Sequence, residues 1–101
     1  MIKRRRGYFE KGNYIISKEE QSILVANHIT RKEAESSTFA ALKENDVELI
    51  NYIVEDSQLY NELEIGEEVI VTPKANEKGE YIVMQSYPPQ IVAGEIRRQK
   101  D

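Results

Sequence analysis

The sequence predicts a mainly β domain with one inserted helix, β or α+β in class, curled into a small barrel of five to six strands. Three observations carry this reading. Short β-branched runs such as Ile23-Leu24-Val25 and Val69-Ile70-Val71 recur between glycine, asparagine and proline turn signals. One stretch, after Thr30, carries the chemistry of a helix start. Strands and helix do not alternate as βαβα, which excludes a doubly wound sheet, and curling a small sheet on itself removes its exposed edges.

The elements follow in order. Gly7-Tyr8-Phe9-Glu10 reads as a first strand, Lys11-Gly12-Asn13 as a turn, and Tyr14-Ile15-Ile16 as a second extended run. Lys18-Glu19-Glu20-Gln21 is a polar turn, and Ser22 to Ala26 is a short apolar run suited to a well-buried strand. Thr30-Arg31-Lys32-Glu33 fits a capping box, with the Thr30 hydroxyl accepting from the Glu33 amide and the Glu33 carboxylate from the Thr30 amide. The helix it opens is expected to reach Lys43, with Phe39 and Leu42 facing inward. Ser36-Ser37-Thr38 weaken it, because their hydroxyls compete for backbone groups.

Val47 to Asn51 is ambiguous between helix and strand, while Tyr52-Ile53-Val54 is β-rich. Asp56 is placed to cap a short helical turn through Leu63. Ile65-Gly66-Glu67-Glu68 reads as a tight turn, Glu68 to Thr72 as a strand ended by Pro73, and Asn76 to Glu80 as a hairpin-type loop. Tyr81 to Met84 continues as a strand. Tyr87-Pro88-Pro89 interrupts the ladder, since proline has no amide hydrogen, and Ile91 to Ile96 is the last strand.

At 101 residues the chain holds one modest core. Residues 1–6 form a basic arm, residues 7–96 one domain and residues 97–101 a basic tail. With 40% hydrophobic and 32% charged residues, the composition is that of a globular chain. No apolar run approaches the roughly 20 residues that span a bilayer. Net charge is −4, but Gly7 to Ile96 carries seven basic and 17 acidic residues, so basic ends flank an acidic body. A nucleic-acid binder places its basic stripe on the body, which disfavours that class.

Absent cysteine excludes disulfides, thiolate catalysis and zinc-thiolate sites. His28 is the single histidine, and a metal site needs a second ligand beside it. Serine nucleophiles need a nearby base, and no G-x-S-x-G elbow or phosphate-cradling loop occurs. The acidic pairs Glu19-Glu20, Glu55-Asp56 and Glu67-Glu68 read as solvated turns. Most of the six tyrosines read as core-edge residues with their hydroxyls in water. No catalytic residue, cofactor or metal is therefore expected. The candidate binding surface joins the basic ends, Arg4, Arg5, Arg6, Arg97 and Arg98, to a rigid aromatic-proline rim of Tyr87, Pro88 and Pro89.

From Gly7 onward the pattern resembles a family of small bacterial proteins of uncharacterised function, many of them secreted or lipid-anchored. The resemblance rests on Gly7-Tyr8-Phe9, on Ile23-Leu24-Val25 to Ile29-Thr30, on Tyr52-Ile53-Val54, and on Leu63-x-x-Gly66-x-x-Val69-x-Val71. Its most specific part is the closing Ser86-Tyr87-Pro88-x-Gln90-x-x-Ala93 element. The resemblance implies an OB-like barrel in an extracytoplasmic setting, and implies no activity. The expected function is a non-enzymatic binding or interaction module of the bacterial cell envelope, acting as a monomer on a protein or envelope ligand. The alternative is a cytoplasmic OB domain that binds single-stranded nucleic acid through its basic ends. A removed leader would place the chain outside the cytoplasm, and a native Met1 inside it.

Overall fold

A computed structural model describes residues 11–36, 38–81, 83, 84, 86 and 88–99. The strands are β1 (Lys11–Glu19), β2 (Ser22–Thr30), β3 (Glu48–Ile53), β4 (Val69–Pro73), β5 (Val83–Met84) and β6 (Gln90–Arg98). Among the described residues, two short helices, α1 (Arg31–Ser36) and α2 (Phe39–Glu44), stand where one inserted helix was expected, and α3 (Ser57–Glu62) forms at the short helical turn expected after Asp56.

The split has a local cause. The capping box starts α1: the Glu33 amide donates to Thr30 Oγ1 at 3.1 Å, and the Thr30 amide to Glu33 Oε1 at 3.0 Å. At its last residue the Ser36 hydroxyl donates back to the Lys32 carbonyl at 2.6 Å, and α1 ends there. Thr38 then starts α2 afresh, its Oγ1 accepting from the Ala41 amide at 3.1 Å. Leu42 is buried as expected, while the Phe39 side chain lies outside the described residues. Asp56 caps α3 as its sequence position indicates, accepting from the Gln58 and Leu59 amides.

The strands form one sheet in the order β1-β2-β3-β6-β4, with β5 beside β6. All neighbours are antiparallel except β3 and β6, which run parallel over Asn51–Gln90 to Ile53–Val92. β4 and β5 lie in line along one edge of β6. A small hairpin leaves the sheet between them, held by the Ala75–Tyr81 bridge. Gly94 lets β6 pass close under its start: a Cβ there would sit 3.0 Å from Lys74 Cα and 3.2 Å from the Pro73 carbonyl oxygen.

The sheet curls until its outer strands touch. Among the described residues, β1 and β4 meet at the single bridge Tyr14–Glu68, flanked by bonds from the Ile15 amide to Glu67 O (3.0 Å) and from the Gly66 amide to Ile15 O (2.7 Å). The sheet is thus not closed into the barrel the sequence suggested. β4 is five residues long and ends on Pro73, and irregular register at Gly12/Tyr14 and Thr72/Pro73 bends both edges, so one bridge stands where closure needs a ladder.

One further reading is corrected and one open reading is resolved. Lys11-Gly12-Asn13 is not a turn but part of β1, where the glycine cluster produces the Gly12/Tyr14 bulge. Val47 to Asn51 resolves as the start of β3 from Glu48.

The two faces of the sheet bury different clusters. Inside the curl lie Ile15, Ile23, Val25, Tyr52, Val54, Leu63 and Val69, with Leu59 and Tyr60 of α3 packed against them. On the outer face Tyr14, Ala26, Ile29 and Leu49 pack under Leu42 of α2, with Ala34 of α1 beside them. Tyr14 and Tyr52 are therefore core residues with 2% and 6% exposure, not core-edge ones. Burial, with the nearby Glu48 charge as a smaller cause, raises the Tyr52 phenol above its ordinary value.

Candidate functional site

The strand register divides the outer face into rows. Tyr14, Ala26 and Leu49 are cross-strand partners, and Leu42 covers them. The next row runs across four strands, Ser17 to Leu24 to Asn51 to Gln90, each paired with the next. A third row pairs Glu19, Ser22 and Ile53. Among the described residues no helix residue lines these two rows, and together with Glu20 they line a groove of about 480 Å³.

Local chemistry sets each wall. A bulge between Ile15 and Ser17 turns Ser17 onto the same face as Leu24; without it Ser17 would point into the curl. The β1–β2 turn places Glu20 and Gln21 in consecutive left-handed conformations, φ 44° and 66°, as in a type I′ turn. Gln21 is held there by its side-chain amide, which donates to the Val54 carbonyl at 2.9 Å. The two prolines deliver Gln90: the Pro89 carbonyl accepts from the Asn51 amide at 2.9 Å, extending the parallel ladder by one bond and setting Gln90 beside Asn51. The Ser86 hydroxyl donates to the Pro88 carbonyl at 2.7 Å and stiffens that approach.

The floor of the groove is apolar, from half-buried Leu24 and Ile53. Its sides are polar. Among the described residues, the side chains of Ser17, Asn51 and Gln90 make no hydrogen bond to the protein, although Asn51 and Gln90 are half-buried, and the carboxylates of Glu19 and Glu20 have no ion-pair partner. Each amide offers two donors and an acceptor. Ser22 is committed to the protein, its hydroxyl donating to the Glu19 carbonyl at 2.7 Å. Among the described residues no basic residue lines the groove.

A larger cleft of about 540 Å³ lies between α1, the Glu64–Glu68 turn and the end of β6. Its charges serve the fold. Arg98 grips both carboxylate oxygens of Glu67, donates from Nη2 to the Glu62 carbonyl at 3.1 Å, and pairs with the Glu62 carboxylate at 3.5 Å. The bond to Glu67, with the surrounding carboxylates, raises the guanidinium above its ordinary value. Glu67-Glu68 is accordingly not a solvated turn: Glu68 is 6% exposed.

The surface proposed from the sequence is distributed differently. Arg4, Arg5, Arg6 and Tyr87 lie outside the described residues. Pro88 and Pro89 precede β6, whereas Arg97 and Arg98 are its last residues, so eight strand steps, roughly 26 Å, separate the two groups. Arg97 is exposed and pairs with Glu95 at 3.2 Å. The groove residues Ser17, Glu19, Glu20, Leu24, Asn51 and Gln90 were not singled out from the sequence as a site. The one available signal was Gln90 in the closing Ser86-to-Ala93 element.

A family described as "Protein of unknown function (DUF3221)" matches residues 12–97, which takes in every residue of the groove. No curated protein and no solved structure matches the chain.

Proposed function

The chain belongs to the DUF3221 family, and from that premise we propose that it is a non-enzymatic binding module of OB type that holds its ligand in the groove of the outer sheet face. The carrying observation is the row Ser17–Leu24–Asn51–Gln90, in which two half-buried amides stand without a partner among the described residues. Half-buried amides favour a hydrogen-bonding ligand over partial exposure to water. The strand order β1-β2-β3-β6-β4, the parallel β3–β6 pair and the contact of β1 with β4 support the OB-type reading. Such folds bind ligands across the face of their second and third strands.

A binding role without catalysis is supported by the spacing of reactive groups. Ser22 donates to a backbone carbonyl, and the imidazole of His28 lies six strand steps further along β2. Among the described residues the groove's lining holds hydroxyls, amides and carboxylates and no imidazole or amine. We place the module in the bacterial cell envelope on the likeness of its closing element to secreted and lipid-anchored proteins. Fractionation of cells expressing the native gene tests that placement, and recovery in the cytosol contradicts it.

The binding role is tested by a ligand screen over peptides, saccharides and oligonucleotides, read by amide chemical shifts. Hits should move the signals of Leu24, Asn51 and Gln90. Asn51→Ala should weaken them roughly two- to tenfold, the worth of one neutral hydrogen bond. Turnover of a ligand lost on changing a single groove side chain would contradict the non-enzymatic reading.

A further inference from the structure

We infer that the groove takes an extended basic peptide of about four residues from a partner protein, an inference that rests on the outer-face binding reading. Three features of the groove select this ligand. First, the floor crosses four strands, β1, β2, β3 and β6. At about 4.8 Å between strands the span is roughly 14 Å, which an extended chain covers in about four residues. Second, the hydrogen-bonding groups are amides and a hydroxyl, Asn51, Gln90 and Ser17, without a partner among the described residues. They match the alternating donors and acceptors of a peptide backbone. Third, among the described residues the charged groups of the groove are Glu19 and Glu20, with no basic residue lining it to neutralise them.

The groove is also polarised. Glu19 and Glu20 stand at the β1–β2 turn, Leu24 and Ile53 lie in the middle, and Asn51 and Gln90 stand at the β3–β6 side. A lysine or arginine therefore docks at the turn, an apolar side chain lies over Leu24 and Ile53, and the backbone beyond it meets the two amides. Single-stranded nucleic acid fits less well. The carboxylates repel phosphates, and among the described residues no aromatic side chain lines the groove for base stacking. A neutral saccharide can donate hydroxyls to the carboxylates but leaves their charge uncompensated.

The test is a titration of the 15N-labelled chain with four probes: an end-blocked tetrapeptide carrying one lysine, one leucine and two glycines; the same peptide with glutamate for lysine; a neutral chitooligosaccharide; and a short oligothymidylate. The lysine is placed at either end in two versions. One lysine peptide should shift the amides of Ser17, Leu24, Asn51 and Gln90, while the glutamate peptide should not bind. Glu19→Gln with Glu20→Gln should weaken the lysine peptide about fivefold, as expected for two exposed ion pairs, and raised salt should weaken it in the unsubstituted chain. Both side chains are exposed, at the end of β1 and in the turn after it, so the fold is preserved for the comparison. Equal binding of the two peptides, or an unchanged affinity in the double variant, overturns the inference. If the saccharide or oligothymidylate fills the groove and no peptide does, the peptide inference falls while the binding face stands. If no probe moves these residues, both fall.

Discussion

Tyr52 shows how one residue ties the inner core to pH. It is 6% exposed, and burial favours its neutral phenol, so its ionisation is raised above 10.0 in the folded chain. Below that pH the phenol is protonated in both states and contributes no pH dependence. Above it the unfolded chain loses the proton first, the folded state binds more protons, and stability falls as pH rises. Tyr52→Phe should therefore flatten the alkaline limb of a stability–pH curve measured by urea unfolding. An unchanged slope above pH 10 would show that the phenol ionises alike in both states. Arg98 is the contrasting residue. The sequence places it in a tail, yet β6 runs through it and Glu67 holds it through both carboxylate oxygens. A basic residue near a chain end reads as solvent-facing until its partner, 31 residues earlier, is known.

At the scale of elements, the helices that follow β2 decide what the outer face can do. α1 and α2 are six residues each, too short to be stable alone, and tertiary packing must hold them. Leu42 supplies that packing for α2, buried to 1% exposure over Tyr14, Ala26, Ile29 and Leu49. Leu42→Ala should cost about 2–5 kcal/mol, measured by urea unfolding, and should speed amide exchange in α2 more than in β2. Equal exchange in the two elements would mean that α2 is held by something other than Leu42. These elements were legible where their signals are local. The Thr30–Glu33 box and the Asp56 cap need only residues three apart, and both form as the sequence indicates. The Lys11-Gly12-Asn13 cluster was misread because the same residues serve a turn or a bulge, and only a pairing strand distinguishes them.

For the whole molecule, the mainly β character was readable and the site was not. Each groove residue is unremarked in its own segment: a serine after an isoleucine pair, an asparagine in a β-rich run, a glutamine after two prolines. Ser17, Leu24, Asn51 and Gln90 become one row through three strand pairings and a bulge at Ile16, and a shift of one residue would send each to the opposite face. The sheet then separates two tasks. Its inner face and α3 hold the core, and its outer face is half covered by α2 and half left as a groove. The central claim is that this uncovered half is the binding face. The most direct measurement is a structure of the chain with the lysine tetrapeptide bound, by crystallography or intermolecular NMR contacts. The account predicts the lysine within ion-pair distance of Glu19 or Glu20 and the peptide backbone bonded to the side-chain amides of Asn51 and Gln90. A peptide seated instead in the cleft beside Arg31 and Arg98, with the groove empty, would contradict it.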